Sequence, residues 1–147
     1  NITEFKGFDL ITPNEREARF ALGDQDSTLG HLAGTLNEAA EFQNLILKLG
    51  DRGVFCVNRN AGVKNSYFSI DSFAKNIVDA MGAGDALLAY STLTMLATGS
   101  LITAGILGSM AAACECERDG NIPISPENLL AKIDAVEEMT GYKTSAR

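Results

Sequence analysis

Asp79-Ala80-Met81-Gly82-Ala83-Gly84-Asp85 is the stretch whose residue types and spacing bear most directly on chemistry. Gly82, Ala83 and Gly84 leave backbone N–H groups uncovered. The long apolar run that follows predicts a helix opening near Gly82, whose dipole adds partial positive charge at that end. Such a nest can hold an anion, or stabilise negative charge developing in a transition state. Asp85 then falls in the first helical turn, facing the same anion, where a carboxylate can take the proton from an attacking hydroxyl. The plainer alternative makes Asp85 an acidic residue favoured at a helix start and the glycines a tight connection.

Three further stretches carry weaker signals. In Thr12-Pro13-Asn14-Glu15-Arg16-Glu17, Thr12 and Glu15 have the spacing of a capping box, with Pro13 in the first turn. Lys48-Leu49-Gly50-Asp51-Arg52-Gly53 has glycines that let a backbone approach a ligand, and it also reads as a plain hairpin turn. Gly108-Ser109-Met110-Ala111-Ala112-Ala113 offers small residues for a flat ligand or for close helix packing.

Taken together and in this order, the four stretches resemble the PfkB (ribokinase-like) carbohydrate kinases. The resemblance runs from about Phe5 to Ile133. In that family the Gly-Ala-Gly stretch is the anion hole for the transferred phosphoryl group and the next aspartate is the base. It therefore implies catalytic roles for Gly82, Ala83, Gly84 and Asp85. Asn14 and Glu17 match the Asn-x-x-Glu element, which implies nucleotide phosphates and magnesium near them. Gly50, Gly53, Ser109 and Ala112 fall where the family lines the nucleotide. Asp79 is implied as support for the loop or as part of a monovalent cation site. Three positions depart from the family's usual residues. Ala80 and Lys48 stand where Thr is common, so Lys48 is given no catalytic role, and Ser109 stands where Asn is common. The wording from Phe5 to Asn14 and from Ile122 to Pro126 resembles heptose-phosphate kinases most. Relatives of that kind often carry a nucleotidyltransferase domain, but no His-x-Gly-His element occurs here.

What positions these residues is an α/β arrangement with few strands covered by helices, the C-terminal part of a ribokinase-like fold. Strands are predicted at Phe8–Ile11, Leu45–Leu49, Val54–Val57 and Tyr67–Ile70. Helices are predicted from Thr12 to Gly23, Ser27 to Phe42, Gly82 to Ala97, Leu101 to Glu117 and from Ser125, the last with Leu129, Leu130, Ile133 and Val136 on one apolar stripe. The 147 residues suit one domain, expected to be the nucleotide-binding and catalytic half of a kinase. The resemblance implies that the sugar pocket comes chiefly from an N-terminal half outside this sequence. The face left by that half implies self-association as a homodimer.

Net charge is −7 and the pI about 4.6, which argues against nucleic acid as a partner. Three cysteines with one histidine make neither a disulfide framework nor a four-ligand zinc site, and they suit a reducing cytoplasm. Ala86–Cys114 is uncharged and long enough to span a bilayer, but its Ser and Thr content and the break at Thr98-Gly99-Ser100 predict two buried helices. The expected function is phosphoryl transfer from ATP, with Mg²⁺, to a hydroxyl of a sugar or sugar phosphate. The alternative is a nucleotide-binding module without catalysis.

Overall fold

The computed structural model describes residues 2–59 and 66–141. At its centre, in Asn44–Lys48 (β2) and Val54–Asn58 (β3), successive side chains point to opposite faces. Leu45, Leu47, Phe55 and Val57 enter one core, and Ile46, Val54 and Cys56 enter another. Both faces must therefore be covered, and helices cover them. Glu15–Leu22 (α1) and Leu29–Ala40 (α2) close the first face through Ala18, Leu32, Leu36 and Ala40. Ala83–Thr98 (α3) and Leu101–Cys116 (α4) close the second through Leu87, Met95 and Leu101. Leu10–Ile11 (β1) pairs parallel with β2, while β2, β3 and Ser66–Ile70 (β4) are successively antiparallel. The order β1-β2-β3-β4 gives a mixed sheet between two helical layers, the expected α/β class.

Most predicted elements are present with shifted ends, and the shifts have physical causes. The first strand is Leu10–Ile11 only, and Phe8 is half exposed. The helix after it starts two residues later than the capping spacing of Thr12 suggests. Pro13 O accepts a hydrogen bond from Lys48 N at 2.9 Å, and Asn14 bridges Lys48 in parallel register, so the chain is still extended there. Asn14 is the cap and Glu17 its reciprocal partner. Asn14 Oδ1 accepts from Glu17 N at 2.7 Å, and Glu17 Oε2 accepts from Asn14 N at 2.8 Å. The second helix is Leu29–Ala40, capped by Thr28. The last helix is Pro126–Thr140 (α5), and its stripe runs through Leu129, Ile133 and Val136. Leu130 is 47% exposed, because a residue one step along a helix turns about 100° away from its neighbour.

The uncharged run Ala86–Cys114 forms two helices joined at Gly99, and among the described residues no helix is long and apolar enough to cross a membrane. Gly108 lets them meet: a Cβ there would crowd Ser91 Oγ and lie 3.0 Å from Leu87 O. The buried Ser91 hydroxyl donates to Ala104 O at 3.1 Å, so the contact is also hydrogen-bonded.

Candidate functional site

The N-terminus of α3 meets the C-terminal end of β2 and the middle of α4. Gly50–Arg52 forms a single 3₁₀ turn between β2 and β3, and Gly53 follows with φ +83°. Only glycine fits there, since a Cβ would run into the Ile70 carbonyl. Arg52 donates to the Glu15 carboxylate, which fixes the turn beside the start of α1. Hydrogen bonding from Arg19, opposed by partial burial and helped by Arg52, holds that carboxyl below its usual range.

The segment from Asp71 to Met81 crosses above this turn and is tied to α4. Val78 N and Asp79 N donate to Cys116 O at 2.7 and 3.2 Å. Lys75 N donates to Glu117 Oε1 at 2.8 Å, and that oxygen also accepts from Lys132 Nζ at 2.7 Å. Burial acts to raise the Glu117 pKa, but the bonds from Lys132 and Lys75 outweigh it and hold the carboxyl low. Asp79 Oδ1 accepts from Met81 N at 2.9 Å, so this side chain shapes the loop into Gly82.

Between the turn, the loop and the helices lies a mainly apolar cleft of about 200 Å³. That is below the size that encloses a whole drug-sized ligand, and it suits a flat fragment whose remainder extends outside. Gly50, Gly53, Ala83, Gly84, Ser109 and Ala112, all singled out in the sequence, line it together, and so does Ala80. Ser109 is 6% exposed, and its Oγ has no hydrogen-bond partner among the described residues. A buried hydroxyl of this kind costs free energy unless something bonds it, and here it borders a cleft that can admit a ligand.

The other predicted residues are placed around the cleft rather than in it. Gly82 and exposed Asp85 line an adjoining hollow with Tyr90, Glu115 and Asn121. Asn14 lines a shallow hollow that shares Lys48 and Gly50 with the cleft. Glu17 borders an apolar groove with Phe8, Leu10, Phe20 and Leu88, beyond the other side of α1's cap. Glu17 belongs to the cap of α1, and Asp79 to the loop tied to Cys116. Among the described residues no group of three or more His, Cys, Asp or Glu side chains stands ready to hold an ion.

Two residues of the site were not legible in the sequence. Lys48 lines the cleft, with its Nζ 2.9 Å from the point where a Cβ on Gly84 would stand. Glu115 is 2% exposed, its Oε1 has no partner among the described residues, and that oxygen lies 2.9 Å from a Cβ placed on Gly82. Neither carries a local signal, because each matters only through a contact distant in sequence.

The profile of the pfkB family of carbohydrate kinases matches residues 4–128, most of the chain and every part of the cleft. The chain belongs to the pfkB carbohydrate kinase family. Among curated proteins this pfkB chain is similar to the bifunctional protein HldE of Geobacter metallireducens, 27% identical over 134 residues that cover 89% of this chain and 26% of the relative. Among solved structures it is similar to a ribokinase from Thermotoga maritima, with TM-score 0.72 and 29% identity over 86% of this chain and 42% of that one. Phosphofructokinase-2 from Escherichia coli, solved in complex with potassium, shares the fold with TM-score 0.77 at 15% identity, over 92% of this chain and 43% of that one. The pfkB chain thus spans about a quarter of the HldE relative's length and about two fifths of the two kinases. These likenesses bear out the ribokinase-like fold and the kinase family read from the motifs.

Proposed function

We propose that this chain supplies the nucleotide site and the phosphoryl-transfer loop of an ATP-dependent kinase acting on a hydroxyl of a sugar or sugar phosphate. One observation carries the reading. In a chain of this family, the glycine turn, the small-residue face of α4 and the start of α3 converge on one cleft that contains a buried, unpartnered Ser109 hydroxyl. The apolar lining suits the base, Gly50 and Gly53 let the backbone approach it, and Ser109 gains a polar partner.

The phosphates then lie toward Ala83 and Gly84, whose uncovered amides begin α3. Asp85 stands one residue further, exposed, on the side where an acceptor can reach it. It takes the proton as the acceptor oxygen forms its bond to the γ-phosphorus. The bond from that phosphorus to the β–γ bridging oxygen breaks, and the amides of Gly82–Gly84 receive the charge on the transferring group. Asn14 and Glu17 are the residues that would hold the shell of a magnesium ion, which would supply neutralisation of phosphate charge when bound with the nucleotide. The groove along β1, lined by Phe5, Phe8, Phe20 and Leu88, is assigned to contact with the acceptor-binding remainder of a kinase. Without that remainder the same cleft serves as a nucleotide-binding module.

Cys116 gives a direct test, since it lines the cleft and is partly exposed. Burial raises its pKa, so it alkylates slowly, while burial pushes Cys56 up to about 12 and leaves that thiol inert. Iodoacetamide is expected to label Cys116 and not Cys56, and saturating ATP to slow the Cys116 reaction. Equal Cys116 labelling with and without ATP would remove the nucleotide from this cleft.

A further inference from the structure

Lys48 ends β2 with its backbone fixed by the Pro13 carbonyl and the Asn14 bridge. Its side chain borders both the cleft that contains Ser109 and the shallow hollow that contains Asn14, so it stands where the two meet. The ion pairs of the described residues use Arg19, Arg52 and Lys132, and among these residues the ammonium of Lys48 has no partner. That ammonium is held against Gly84, 2.9 Å from where a Cβ would be. It therefore faces the end of α3 that already carries partial positive charge. Two positive features face each other, and although Asp51 lines the cleft and Glu15 the neighbouring hollow, neither forms an ion pair with Lys48 among the described residues. The repulsion between the two positive features is relieved when an anion lies between them. The unpartnered Ser109 hydroxyl is an independent sign that a ligand belongs in the same cleft.

We propose that Lys48 binds the terminal phosphates of a nucleoside triphosphate, closing on them from β2 while the amides of Ala83 and Gly84 hold them from α3. This rests on the nucleotide reading of the cleft and adds to it a residue that discriminates by phosphate number. Lysine suits the task, because a compact ammonium on a flexible stem follows a phosphate without needing the planar geometry of arginine.

The test is titration of the 147-residue chain with ATP and, separately, with adenosine, without added metal, for wild type, Lys48→Met and Lys48→Arg. Removing a charged hydrogen-bond donor from a phosphate is expected to weaken ATP about 10–100-fold. Lys48→Met leaves adenosine affinity unchanged, and Lys48→Arg restores part of the ATP affinity. Circular dichroism confirms the fold of each variant, and Lys48→Gln replaces Lys48→Met if the latter fails to fold. Unchanged ATP affinity in a folded, uncharged variant overturns the role of Lys48 and leaves the nucleotide site standing. An equal loss for ATP and adenosine also overturns it, as that pattern marks a structural side chain. Wild type that binds neither ligand overturns the nucleotide reading itself, and Lys48's role with it.

Discussion

Asp85→Asn is expected to lower phosphoryl-transfer turnover by about 10²–10⁴-fold, the usual contribution of a general base. Asn keeps the shape of the side chain and loses the ability to take a proton. Asp85 is exposed in the first turn of α3 and forms no ion pair among the described residues. The change in stability should stay a fraction of about 1 kcal/mol, the scale of an acidic side chain on a helix dipole. Nucleotide affinity should also hold, because Asp85 lines the adjoining hollow and not the cleft. The measurement is steady-state phosphorylation in a chain that also carries the acceptor-binding portion, with thermal melts alongside. Near-wild-type turnover would make Asp85 only a helix-start residue.

Gly82→Val is expected to damage both stability and transfer. Gly82 caps α3 at φ +82°, a conformation that costs an L residue about 1–2 kcal/mol. Its added Cβ would also crowd the Asn121 side chain and lie 2.9 Å from Glu115 Oε1, on a buried residue with little room to yield. Overpacking of this kind adds about 1–3 kcal/mol. For a domain of roughly this size the melting temperature should fall by about 5–15 °C. Gly84→Ala is the contrast: Gly84 has no positive φ, and its Cβ meets only the far end of the flexible Lys48 side chain. It should fold normally and weaken ATP alone. Equal melting of Gly82→Val and wild type would mean that the loop does not sit against Glu115 and Asn121.

What could be read from the sequence was what local chemistry determines. The continuous apolar runs at Leu45–Leu47 and Val54–Val57 marked β2 and β3, and Thr98-Gly99-Ser100 marked the break between α3 and α4, because each of those signals lies within one segment. The start of α1 was misplaced for the opposite reason. Thr12 and Glu15 satisfy the capping spacing, but the bond from Lys48 to Pro13 keeps the chain extended, so that Asn14 and Glu17 take the roles. The same long-range pairing brings Lys48 to Gly84, which no local pattern announces. Glu115 was missed because an acidic residue near the end of a helix ordinarily faces solvent, whereas α4 turns it beneath Gly82. The motif residues were recognised one by one, yet the division between them was not visible. Ala83 and Gly84 line the cleft while Gly82 and Asp85 line the hollow beside it, a split made by the helical turn itself.

The nucleotide is expected in the cleft between the Gly50–Gly53 turn, the loop into α3 and the small-residue face of α4. Amide chemical shifts followed during a titration with Mg-ATP test this placement most directly. The largest changes are expected at Lys48–Gly53, at Ala83 and Gly84, and at Ser109–Ala113, with little change along α2 or α5. Shifts confined to residues outside those three segments would contradict that placement.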